Sequence, residues 1–187
     1  MYTRKIDFAR LRVLVVENHA LMRRLLGEML RGFGVNQISF ARDVPSSIEY
    51  IYGEPFDLVI LDFFLGELDG ADFAKFVRFD GNCMNREVPI LLVTATPNHK
   101  KVLKVMDAGI NTMLAKPIAA KDLYDRIYAI LANPKPFVIS NEYVGPARTR
   151  SSRVVSRRPG SATIAASPLT KAHREEPKPA IEDGFLF

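Results

Sequence analysis

The sequence predicts an α/β fold: a five-stranded parallel sheet with helices on both faces. Two observations carry this. Five short apolar runs, at 12–16, 38–41, 58–61, 88–93 and 112–115, alternate with five segments of helical character. Four of those runs end on polar groups, at Glu17-Asn18, Asp62, Thr94 and Lys116-Pro117. In a parallel sheet wound on both faces the strand ends share one edge, and ligands bind in the crevice outside it. These groups should therefore converge on one small pocket, suited to a metal ion and a phosphoryl group.

The elements follow in order. Arg12 to Val16 is an uninterrupted apolar run, as suits a strand buried on both faces. Asn18 is placed to cap the next helix. Leu21, Leu25, Met29 and Phe33 line one face of that helix, and Gly32 and Gly34 stop it. Ile38 to Ala41 forms the second strand. Asp43 caps a second helix carrying Ile48, Ile51 and Tyr52, ended by Gly53-Glu-Pro55. Leu58 to Leu61 is the third strand. A loop from Phe63 to Gly70 leads to a helix from Ala71 to Phe79, and Gly81 to Glu87 is a polar connection. Val88 to Val93 is the fourth strand. Asn98 caps a helix that runs to Ala108 and ends at Gly109. Thr112 to Ala115 is the fifth strand. The last helix runs from Ala119 to Leu131, with Leu123, Ile127 and Ile130 or Leu131 inward, and Asn133-Pro134-Lys-Pro136 ends it.

The 187 residues give room for one domain and an extension, and 48% hydrophobic composition supports a core. The net charge of +5 is uneven: residues 1–132 hold 17 basic and 16 acidic side chains, and the rest hold nine and five. Beyond Pro136 periodicity fails, and Ser, Arg, Pro, Gly and Ala dominate. The division expected is a domain at 1–132 and a basic, largely disordered extension at 133–187. The single cysteine, Cys83, excludes an internal disulfide. No signal-peptide core or membrane-spanning run is present, which reads as a cytoplasmic protein without a membrane span.

Residues 11–132 resemble the receiver domain of two-component response regulators, the CheY-like fold. The matching residues are Val15-Val-Glu17-Asn18, Leu21-Met-Arg-Arg24, Asp57-Leu-Val-Ile-Leu-Asp62, Asp69-Gly70, Val93-Thr94-Ala95, Asp107-Ala-Gly109 and Leu114-Ala-Lys116-Pro117. The resemblance implies a flavodoxin-like strand order of 2-1-3-4-5. It implies that Asp62 is the phosphoacceptor and forms an acyl phosphate. Lys116 would pair with that acid and then with phosphoryl oxygens, beside a cis Lys116–Pro117 bond. Thr94 would be the switch hydroxyl, with Ala95 leaving room beside the phosphoryl group. Glu17, Asn18, Asp62 and the Phe64 carbonyl would hold Mg2+.

Two positions depart from the family pattern. Asn18 stands where an acid usually contacts the metal, so Glu17 and Asp62 supply −2 where relatives carry −3. Weaker Mg2+ binding is expected, with Asp62 less pushed toward protonation. Met113 stands where relatives usually carry an aromatic ring, so the output switch is altered or is read elsewhere.

The tail carries Tyr143, Arg148, Arg150, Arg153, Arg157 and Arg158. It resembles the arginine-rich extension of some single-domain receivers, a subset of which bind cyclic di-GMP. Arginine forks and an aromatic face suit a guanine nucleotide. A solvated basic linker explains the same composition, and no helix-turn-helix pattern points to DNA. Gly184-Phe-Leu-Phe187 is a candidate docking peptide.

The leading expectation is a single-domain response regulator, loaded on Asp62 by a histidine kinase or phosphotransfer protein and signalling by protein contact. It is not expected to be an enzyme with a diffusible substrate. The alternatives are a cyclic di-GMP effector on a receiver scaffold and a phosphate sink.

Overall fold

The computed structural model describes residues 6–95 and 99–148. A 3-10 turn, Phe8–Arg10, precedes β1 (Arg12–Val16), α1 (Ala20–Gly32), β2 (Gln37–Ala41), α2 (Val44–Gly53) and β3 (Leu58–Asp62). Then come α3 (Gly70–Phe79), β4 (Ile90–Thr94), α4 (His99–Asp107), β5 (Thr112–Ala115) and α5 (Ala120–Ala132). The five strands pair in parallel in the order β2-β1-β3-β4-β5, as expected.

Side-chain alternation along each strand sorts the core into two layers. Leu14, Val16, Val59, Leu61, Ile90 and Leu92 pack on one face with Ile51, Phe73, Val77 and Val105. Val13, Val15, Leu58, Ile60, Leu91 and Val93 pack on the other with Leu26, Leu30, Leu123 and Ile127. The three central strands are thus buried on both sides. Each such side chain contributes about 1.5–3 kcal/mol, which fixes the register on which the site depends.

Three local expectations are corrected. The first helix is capped by His19, whose side chain accepts from the Met22 amide at 3.4 Å; Asn18 lies one residue too early. Of the face expected inward, Met29 and Phe33 pack against the core, while Leu21 and Leu25 face solvent and Leu26 and Leu30 are buried in their place. The fourth strand begins at Ile90, because Val88 donates back to the Asn85 carbonyl and Pro89 has no amide to give. Asp43 caps α2 as expected, through the Ser46 amide at 2.8 Å. The Asn98 cap lies outside the described residues.

The largest difference lies after α5. The stretch expected to be disordered from 133 begins with a hairpin, β6 (Phe137–Ile139) and β7 (Val144–Pro146), paired antiparallel. Ser140 closes its turn, donating to the Tyr143 carbonyl and accepting from the Tyr143 amide at 3.0 Å. No Asn-Gly signal marks this turn, and each strand has three residues, so local propensity alone does not explain it. Docking does. Gly109 has φ +80°, and a Cβ there would lie 2.4 Å from the Val144 carbonyl oxygen. Only a glycine permits that approach.

Arg78 lies beneath the same turn, fully buried. Its guanidinium donates to the carbonyls of Gly109 (3.1 Å), Val88 (2.7 Å) and Arg86 (2.5 Å), and to Asn111 Oδ1 (3.2 Å). It also sits 5.4 Å from the centre of the Phe137 ring. Burial pushes its pKa down to about 10, so the group stays charged at neutral pH, and the carbonyl dipoles take the place of water around it.

Candidate functional site

The parallel register aligns Val16 with Leu61, Asp62 with Val93, and Thr94 with Ala115. The four polar strand ends therefore meet at one edge. Lys116 Nζ lies 2.9 Å from Glu17 Oε2 and 3.2 Å from Asp62 Oδ1, so one ammonium bridges two carboxylates from different strands. The Lys116–Pro117 bond that carries it is cis. Asp62 Oδ1 also accepts from the Phe63 amide at 2.8 Å, and Glu17 Oε1 accepts from the His19 amide at 3.0 Å.

The walls are close. A Cβ on Gly70 would fall 2.6 Å from the Asp62 carbonyl oxygen, so α3 begins directly against the end of β3. Asp69 caps that helix in a reciprocal box with Asp72. Arg23 reaches back from α1 to the carbonyls of Glu17 (2.7 Å) and Asn18 (3.3 Å). Arg23 was visible in the sequence only as part of the Leu21–Arg24 match, and nothing there showed that it props the acidic loop.

Electrostatics set Asp62 apart. Burial pushes its carboxyl above the ordinary range, and the Glu17 charge adds to this; Lys116 and the Phe63 amide oppose it without cancelling it. A partly desolvated carboxylate with one anchored oxygen is a competent nucleophile.

Thr94 is buried, and its hydroxyl is the one buried side-chain polar atom among the described residues without a hydrogen-bond partner. An unmade bond of this kind costs about 1–3 kcal/mol, which a ligand oxygen would relieve. Ala95 is exposed. Asn18 is exposed, and Phe64 is half-exposed with its ring edge-on to Phe63. Glu17, Asn18, Asp62 and the Phe64 carbonyl offer hard oxygen donors of the kind Mg2+ takes. No group of three His, Cys, Asp or Glu side chains forms a metal cluster among the described residues. Met113 is partly buried on β5 against the core layer that holds Leu92 and Val105.

Of the tail residues considered for a nucleotide, Tyr143 and Arg148 lie among the described residues. Tyr143 donates its hydroxyl to the Pro146 carbonyl at 2.8 Å, and Arg148 stacks 4.0 Å over the Tyr143 ring while pairing with Asp107 at 2.8 Å. Both are committed to contacts within the domain. Arg150, Arg153, Arg157, Arg158 and the Gly184–Phe187 segment lie outside the described residues. Cys83 is buried, and no helix among the described residues is long and apolar enough to cross a membrane.

Comparison with known proteins agrees with this geometry. Residues 13–128 match the model of the response regulator receiver domain. The chemotaxis protein CheY-3 of Vibrio cholerae is 26% identical over 117 residues, spanning 63% of this chain and 88% of that protein. The chemotaxis protein CheY of Pseudomonas aeruginosa is 27% identical over 120 residues, spanning 64% and 95%. Among solved structures, a response regulator candidate from Chloroflexus aurantiacus superposes with a TM-score of 0.61 at 29% identity, covering 66% of this chain and 98% of that one. The receiver domain of a sensor histidine kinase from P. aeruginosa superposes at 0.58 with 26% identity, covering 65% and 97%; that protein was solved with a magnesium ion coordinated in its active site cleft.

Proposed function

The chain belongs to the response regulator receiver family of two-component signalling, and on that premise we propose that it accepts a phosphoryl group on Asp62 and signals by protein contact. The donor is a histidine kinase or a phosphotransfer protein. The observation that carries this reading is the Lys116 ammonium held on both Glu17 and Asp62, beside the unpartnered Thr94 hydroxyl.

The chemistry follows from the positions. An Asp62 carboxylate oxygen forms a bond to phosphorus as the bond from phosphorus to the donor imidazole nitrogen breaks, and the electron pair leaves with the imidazole. Asp62 Oδ1 is tied to the Phe63 amide and Lys116, so Oδ2 is the freer oxygen for attack. Lys116 then turns its ammonium onto a phosphoryl oxygen while keeping its contact with Glu17 Oε2. Thr94 donates its unused hydroxyl to another phosphoryl oxygen, which draws the end of β4 toward Asp62. Mg2+, bound by Glu17, Asp62, the Phe64 carbonyl and the Asn18 amide, would spread the charge on the transferring group. The magnesium found in the cleft of the P. aeruginosa receiver supports that assignment.

A small phosphodonor such as acetyl phosphate, supplied with Mg2+, tests the reading. Intact mass should show one phosphoryl group added to the wild-type chain and none to Asp62→Ala. Equal labelling of the two would refute it. The cyclic di-GMP reading gains no support from the described residues, where Tyr143 and Arg148 contact each other and Asp107.

A further inference from the structure

β5 is an edge strand, and the groove between it and α4 is lined by Val102, Val105, Met106, Ile110 and Met113, with Asn111, Thr112 and Lys135 as polar members. An open strand edge beside such a partly apolar groove is the kind of surface that takes a partner unless the protein covers it. Here the chain covers it with its own residues. Tyr143, Pro146, Ala147 and Arg148 form the outer wall and leave a cavity of about 220 Å³ beneath. The groove on the other side of β5, toward α5, stays open along Leu114, Asp122, Arg126 and Ala129.

The covering segment has a firm end and a weak end. Val144, Gly145 and Pro146 are buried, and a Cβ on Gly145 would lie 2.6 Å from the Gly109 Cα. That is an anchor. At the other end Arg148 reaches the Met106 carbonyl at 3.1 Å and Asp107 at 2.8 Å, with the two side chains 33% and 64% exposed. An ion pair so open to water holds weakly. Asp107 closes the last turn of α4, and one turn earlier Lys104 pairs with Asp69 at 2.5 Å and Asp72 at 3.7 Å. Asp69 ends the loop that starts immediately after Asp62. The same helix thus bonds to the phosphoacceptor loop and to the latch.

We propose that residues 143–148 are a strap that closes the α4 side of the β5 edge against a partner protein, latched by Arg148 on Asp107, and that loading of Asp62 releases the latch through α4. The release rests on the function proposed above; the closure does not. An α4 shifted by a change in the Asp69 loop carries Asp107 away from Arg148, while the Gly109–Gly145 contact keeps the strap tethered for return.

Hydrogen exchange on the full chain, read by mass spectrometry, tests both parts. Arg148→Ala, and separately Asp107→Ala, should speed exchange at 144–148 and 112–115 by roughly fivefold or more, with 58–62 unchanged. Both alter exposed or half-exposed side chains, so the fold should survive either. Binding of the apolar dye anilinonaphthalene sulfonate should rise in parallel. Unchanged exchange in both variants overturns the closure. Wild type treated with acetyl phosphate and Mg2+ should show the same pattern in proportion to the loading seen by intact mass. Loading without strap release overturns the coupling alone. Absence of loading overturns the proposed function, and the coupling with it, while the two variants still decide the closure.

Discussion

Asp62 sits in a pocket that resists its ionisation, and this makes a pH signature. The folded protein holds the Asp62 proton more tightly than the unfolded chain does, since burial and the Glu17 charge raise its pKa. The stability this group contributes is full below the ordinary carboxylate value of 3.8 and is lost as pH rises through the raised value. At neutral pH the charged Asp62 therefore weakens the fold. Asp62→Asn should raise the melting temperature by about 2–4 °C near pH 7 and leave it unchanged under strongly acid conditions; a shift of equal size at both would contradict the assignment. Asn18 sets the second expectation at this scale. It supplies an oxygen without charge at the end of β1, so Asn18→Asp should tighten Mg2+ roughly tenfold by calorimetric titration. Equal affinity would show that position 18 does not face the metal. These residues were legible from the sequence because each closes an apolar run. Arg78 was not: an arginine without a carboxylate partner has no sequence signature of burial, and only the assembled carbonyls of Gly109, Arg86 and Val88 account for it.

The elements divide by where their stability comes from. The three central strands were visible because a strand buried on both faces must be a continuous apolar run, and the two partly buried edge strands showed only in outline. The rotation of α1 was visible in part: Met29 and Phe33 pack on the core as read, but Leu26 and Leu30 are buried where Leu21 and Leu25 were expected. The β6–β7 hairpin was hidden for a further reason: it is held by contact with Gly109 and Arg78, residues distant in sequence. Gly109 is accordingly the element's weak point. Gly109→Ala would place a Cβ against the Val144 carbonyl at a positive φ, and should cost about 1–3 kcal/mol in denaturant melts. Exchange protection should be lost at 137–146 while 58–62 stays protected. An unchanged melt would mean the hairpin is not seated on this turn.

At the scale of the whole molecule, one sheet edge gathers the polar strand ends, and residues 143–148 cover the groove between β5 and α4. The sheet brings Glu17, Asp62, Thr94 and Lys116 together from four strand ends, and their convergence was readable because strand order and polar termini suffice to place them. How the face beyond α4 is occupied was not readable, since Tyr143 and Arg148 looked like loose tail residues until Asp107 and Met106 came to meet them. The chemical claim at the centre is that Asp62 becomes an acyl phosphate. Borohydride reduces an acyl phosphate to the alcohol, so treatment after loading with acetyl phosphate and Mg2+ would convert the modified aspartate to homoserine. Peptide mass spectrometry should find homoserine at position 62 and at no other acid. Homoserine at another aspartate, the corresponding alcohol 5-hydroxynorvaline at Glu17, or an unmodified Asp62 in a protein that carries phosphate, would contradict the account.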